Sequence, residues 1–426
     1  MPESIEPRQG APDPHRVTSP APRMTYLRVL AIPEFRMIFA AQVIATLGNV
    51  VAQLTLSVVV YQRTGSPLLS ALTFALGFAP YLLGATLLSA VADRWPPRDV
   101  LVGCQAISCG VVAAMAVPGM PIAPLFLLLL VLGTVAPVFQ GARAATLPDV
   151  VTGDGYALAR SLLRLVSQST QLIGFAVGGV LLLVLSPSVS LLSAAAGCAV
   201  AAVLLRFGTE RRPARTTDAG DSIAKASLAG VRQVMALPGL RPLLLLTWLP
   251  PAFAVAPEAL AVSYADKLGS GPAFVGLLLS AAPAGAVLGE LLAGAFLAPA
   301  TRVRLVAPIA TLMFLPLLAF AVRPGAALAT LLLFLCGFGF TYAMGLDQRV
   351  IDATPENLRG RTLTIALAGL MITQGLGFAA AGAAAEFVAP HVVVVAAGVL
   401  GLTTVLLCVI RSDAHRLAFT ETARSL

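Results

Sequence analysis

Two carboxylates stand far inside apolar runs: Glu258, between Pro257 and Tyr264, and Glu290, about two helical turns beyond Pro283. A charged group at membrane depth is costly and by default marks an ion or substrate path. Burial disfavours the ionised form of a carboxyl, so a group of this kind takes up and releases a proton near neutral pH. That is the chemistry of a proton-coupled exchanger, in which proton and solute compete for one site. The plainer alternatives are a carboxyl held permanently by a neighbouring helix or, for Glu258, a charge at an outer mouth.

Neutral polar groups accompany them. Gln42, Asn49 and Gln53 recur at spacings of seven and four, near one helical face, and Gln171 and Gln374 stand in two further apolar runs. All five are candidates for lining a central cavity, and each has a plainer reading as an interhelical hydrogen bond. A charged break, Asp93, Arg94 and Arg98, separates two apolar runs. It either holds the topology or acts as a latch that changes partners, with Arg361 as the candidate partner; parting such a pair leaves a charge unpaired. Arg143 is expected to meet headgroups or anchor a loop. The three histidines (His15, His391, His415) and five cysteines (Cys104, Cys109, Cys198, Cys336, Cys408) have no nucleophilic or metal-ligand spacing, and no phosphate-binding Gly-Lys loop occurs. Neither an enzyme nor an ATP-driven pump is indicated, and no cofactor or metal is expected.

The elements that must position these groups are membrane helices. The 426 residues are 58% hydrophobic and only 11% charged, with a mean hydropathy of +0.89, whereas soluble domains carry about 25% charged residues. About 20 apolar residues cross a bilayer core as a helix, and the pattern predicts spans at 36–61, 67–91, 99–118, 122–145, 161–186, 188–207, 241–264, 273–297, 303–322, 325–346, 361–386 and 390–411. The expected organisation is a disordered tail over 1–23, a first six-helix bundle over 24–207 that opens with an interfacial lead-in helix, a polar linker over 208–240 with an amphipathic helix, a second bundle over 241–411, and a tail over 412–426. With the N-terminus inside, the outward loops hold only Arg63, Lys267 and Arg323 of the 28 Lys and Arg. That bias places both termini in the cytoplasm. The same dispersal of basic residues excludes nucleic acid as a partner.

The halves repeat at a displacement of 203 residues. Gln171-Leu-Ile-Gly174-Phe175-Ala176 matches Gln374-Gly-Leu-Gly377-Phe378-Ala379, Ala79-Pro80 matches Ala282-Pro283, and Asp149 matches Asp352. Six spans per half give two halves of the same orientation, related about an axis along the membrane normal.

On these features, on Ala45-Thr-Leu-Gly48-Asn49, Tyr61-Gln-Arg-Thr64-Gly65-Ser66-Pro67, Ala92-Asp93-Arg94 and Leu358-Arg359-Gly360-Arg361, the chain resembles the major facilitator superfamily. Within it, the resemblance is to the twelve-span drug and siderophore exporters, enterobactin-exporter-like. The family's signature after the second span keeps its Asp and arginines here (Asp93, Arg94, Arg98), but Ser89 and Pro96 stand where it has glycines. The resemblance implies an all-α membrane protein of two pseudo-symmetric six-helix bundles and a gating role for Asp93 against the inner end of the eleventh span. The expected function is secondary active transport by alternating access: proton-coupled efflux of a hydrophobic or amphipathic drug or metabolite across a bacterial inner membrane. A monomer whose partners are the solute, protons and lipids is expected. Siderophore export, proton-coupled nutrient uptake and, in a different class, a non-transporting sensor or assembly subunit are the alternatives.

Overall fold

A computed structural model describes residues 25–83, 95–151, 155–213, 232–237 and 239–424. Among the described residues, ten helices are long and apolar enough to cross a membrane, and two shorter apolar helices, Pro67–Tyr81 and Val306–Val322, bring the apolar segments to twelve. No strand occurs among the described residues. The protein is thus a multi-pass membrane protein, its spans here called one to twelve in chain order.

Several limits differ from the sequence reading, each for a local reason. The first span begins at Pro33, directly after a short helix Tyr26–Ala31, because Pro33 suits a first helical position. Span two is α-helical over Pro67–Phe78 and tightens to a 3-10 turn over Ala79–Leu83; Pro80 has no N–H to continue the α-helical ladder. Span four continues to Val150 and span ten to Asp352, past the expected 145 and 346. The last helix runs unbroken over Pro390–Arg424, so the backbone of 412–424, expected as a tail, extends span twelve. Of the expected linker over 208–240, residues 214–231 and 238 lie outside the described residues.

Span seven is broken. Pro250, Pro251 and Pro257 each remove a donor, and the chain passes through three short helices, Arg241–Ala254, Ala256–Ala259 and Ala261–Lys267. Side-chain hydrogen bonds between these pieces and neighbouring segments hold them in place. Trp248 Nε1 donates to the Ala366 carbonyl at 2.9 Å, Tyr342 Oη to the Leu246 carbonyl at 3.2 Å, and Tyr264 Oη to the Pro324 carbonyl at 2.6 Å.

The internal repeat reappears as equivalent packing. Gly174 of span five lies against Val50 and Leu47 of span one, and Gly377 of span eleven lies against Ala252 of span seven. A side chain at either position would overlap the facing helix. Between the halves, Gly179 of span five faces Gly276 of span eight so closely that a Cβ added at Gly276 would stand 2.7 Å from the Gly179 Cα. Phe74 and Phe78 of span two stack on Phe378 of span eleven, with ring centroids 5.3 and 5.8 Å apart.

Candidate functional site

The broken part of span seven carries the first site residue. Glu258 belongs to the four-residue turn Ala256–Ala259, between two helix breaks, and Pro257 beside it keeps the backbone from closing into one helix. Broken helices at membrane depth are tolerated where they line a cavity, and Glu258 lines one of about 640 Å³ between the two halves. It is half-buried and has no hydrogen-bond partner among the described residues. Glu290 of span eight lines the same cavity, also half-buried, and accepts a long hydrogen bond, 3.4 Å, from Gln168 Nε2 of span five in the other half. Gln171 and Gln374 complete the polar wall, while Pro251, Pro283, Leu278, Phe340 and Leu370 are among its apolar lining.

Two charged lining residues escaped the sequence reading. Asp347 is half-buried in the cavity wall, and Arg160 of span five lines it too. With the predicted end of span ten at 346, Asp347 falls in a loop. The signal that could have found it is the apolar stripe Tyr342, Leu346, Val350, all buried at helical spacing on the second segment of that span, Tyr342–Asp352. Its Ala343 and Leu346 line the cavity beside Asp347. The cavity therefore gathers three carboxylates from spans seven, eight and ten.

Gln42, Asn49 and Gln53 of span one line a second, smaller cavity of about 320 Å³ within the first half, together with Gln105 and Gln140. Arg143, expected at the headgroups, instead turns into the bundle and donates to Gln42 Oε1 and Gln140 Oε1. Met371 of span eleven lines both cavities, so the two adjoin.

The halves are fastened on the face opposite the termini. At the end of span eleven, Glu386 accepts from Ser66 Oγ and from the Leu68 N–H, the latter at 3.0 Å. Ser66 is the N-cap of span two and accepts in turn from the Leu69 N–H at 3.1 Å. A carboxylate of the second half thus sits on the positive end of a helix of the first. Beside it Tyr61 Oη donates to Asp266 Oδ2 at 3.2 Å. Nothing in the sequence marked Glu386, since a lone carboxylate at a span end has no period or spacing to distinguish it.

Of the expected gating residues, Asp93 and Arg94 lie outside the described residues. Arg98 is half-buried in the first turn of span three, its Nε buried without a hydrogen-bond partner among the described residues. Arg361 is exposed near the start of span eleven. On the same face, Arg212 at the start of the linker donates to both carboxylate oxygens of Glu34 in the first turn of span one. That bond holds the guanidinium more firmly protonated than an ordinary arginine.

The profile of the family described as transmembrane secretion effector matches residues 24–424. No curated protein matches the chain by sequence. Among solved structures, the nucleoside transporter NupG superposes with a TM-score of 0.73 at 14% identity, covering 89% of this chain and 99% of that one. A peptide transporter POT in complex with sulfate gives 0.71 at 15% identity, covering 92% and 99%. A bacterial homolog of the human lysosomal transporter Spinster, in an inward-facing and unoccupied conformation, gives 0.64 at 14% identity, covering 91% and 97%. These likenesses establish the major facilitator fold.

Proposed function

We propose that this chain, which belongs to the transmembrane secretion effector family, is a proton-coupled exporter of a hydrophobic or amphipathic solute, working by alternating access in a bacterial cytoplasmic membrane. The observation that carries this reading is Glu258: a carboxyl at a helix break, without a fixed partner among the described residues, in the wall of a cavity between the two halves. Such a group is open to either a proton or a cationic part of a solute, which is what exchange requires. Glu290 and Asp347 share the wall and extend the same chemistry. Three carboxylates among mostly apolar neighbours suit a cationic or neutral solute better than an anionic one, which disfavours siderophore export.

Alternating access is supported by where the halves touch. The cross-half bonds of Glu386 and Asp266 close the face opposite the termini. With both termini in the cytoplasm, as the basic residues suggest, this is the inward-facing state. Arg98 and Arg361, with the sequence-predicted Asp93 and Arg94, are in this reading the groups that fasten the cytoplasmic face when the halves rock the other way.

The test is flux in proteoliposomes under an imposed pH gradient, screened over a panel of amphipathic compounds. We expect accumulation driven by the gradient in the export direction, and loss of that drive in Glu258→Gln and Glu290→Gln. Gradient-driven flux that survives both substitutions would sink the carboxylate mechanism, and flux only in the opposite direction would make the protein an importer.

A further inference from the structure

The smaller cavity differs in chemistry from the larger one. Its wall presents five carboxamides, Gln42, Asn49, Gln53, Gln105 and Gln140, and, among the described residues, no carboxylate, lysine or arginine. Three of them, with Thr46, fall at positions 42, 46, 49 and 53, one stripe of span one at helical spacing. An amide whose hydrogen bonds are unmade is unfavourable away from water.

Much of this capacity is uncommitted. Gln42 is occupied: its Nε2 donates to Thr46 Oγ1 at 2.8 Å and its Oε1 accepts from Arg143. Arg143 likewise holds Gln140 by Oε1, and the Gln140 Nε2 donors have no partner among the described residues. Asn49 and Gln53 make no hydrogen bond among the described residues. Gln105 is only 5% exposed, yet its buried Oε1 has no partner among the described residues. A carboxamide offers a donor and an acceptor side by side and carries no net charge. It therefore matches hydroxyl and amide groups and holds an ion poorly.

We propose that the smaller cavity is a recognition subsite for the uncharged, hydroxyl- or amide-bearing part of the solute, whose cationic end lies among the carboxylates of the larger cavity. This rests on the role proposed above for those carboxylates. Because Met371 lines both cavities, one elongated solute spans the boundary between the halves.

The experiment is binding to the full-length protein in lipid nanodiscs of two probes, N-hexyl-N-methylglucamine and hexyltrimethylammonium. Both are cations with the same alkyl chain, and only the first carries hydroxyls. The glucamine should bind about tenfold more tightly, the discrimination one well-made hydrogen bond supplies. The ratio should fall toward one in Gln53→Leu and in Asn49→Leu. Equal affinities in the unsubstituted protein, a comparison that needs no variant to fold, overturn the subsite; so does a ratio that persists in both variants. If the glucamine is preferred while Glu258→Gln and Glu290→Gln leave both affinities unchanged, the carboxylate reading fails and the amide subsite stands. Binding of neither probe overturns both readings.

Discussion

Removing the Glu386 carboxylate should open the face opposite the termini. One carboxylate oxygen of Glu386 accepts from Ser66 Oγ and from the Leu68 N–H at 3.0 Å, joining span eleven to the first turn of span two. Hydrogen bonds to a charged group contribute about 1.5–3 kcal/mol each where water is excluded. Glu386 is exposed, so solvent screening brings the two together to roughly 1–2 kcal/mol, with the helix terminus included. Both contacts are lost when the halves part, so Glu386→Ala should shift the closed-to-open ratio of this face by about 5–30-fold. Glu386→Gln keeps an oxygen acceptor and loses only the charge, about 0.5 kcal/mol, or roughly a twofold shift. Spin labels at Gln62→Cys and Phe387→Cys, two exposed positions on either side of the seam, report the separation by pulsed electron resonance. The expected order of open population is Glu386→Ala, then Glu386→Gln, then the unsubstituted protein. A distance distribution in Glu386→Ala that matches the unsubstituted protein would refute the clasp, and a Gln variant as open as the Ala variant would refute the assignment of most of the energy to the hydrogen bonds.

Three further substitutions test neighbouring parts of the structure. A Cβ at Gly276 would meet the Phe175 carbonyl at 2.6 Å, and overpacking of this kind costs about 1–3 kcal/mol; Gly276→Val should therefore open the same label pair, and a closed distribution would count against close packing of spans five and eight. Asp347→Asn should weaken hexyltrimethylammonium binding about tenfold, the loss of about 1.4 kcal/mol of charge attraction, whereas an unchanged isotherm removes Asp347 from the site. Glu34→Ala strips Arg212 of its two-oxygen partner and the Glu210 N–H of its acceptor at 3.0 Å. That should cost about 1–3 kcal/mol and lower the Tm, with Glu34→Gln falling less; an unaltered Tm would show that the linker junction contributes nothing to stability.

What the sequence by itself determined is what depends on local sums. Hydropathy over a window of about 20 residues needs no knowledge of neighbours, so twelve spans in two six-helix halves were legible before any fold was in hand, as was membership of the major facilitator superfamily. Glu258 and Glu290 stood out for the same reason, because a charge inside an apolar run is conspicuous in one dimension. Span ends were less legible: the charges of Asp347 and Arg349 outweighed the buried stripe Tyr342, Leu346, Val350 that carries the helix on.

Only the tertiary structure decided which polar groups share a space. Gln42, Asn49 and Gln53 went to one cavity and Gln171 and Gln374 to another, a division set by how the two halves lean together. Arg143 turned inward because Gln42 of span one and Gln140 of its own span offer it acceptors there. Glu386 became a fastening because folding brings it to Ser66 and Leu68, more than 300 residues earlier. A cavity and a clasp are relations between distant segments, and no local sum contains them.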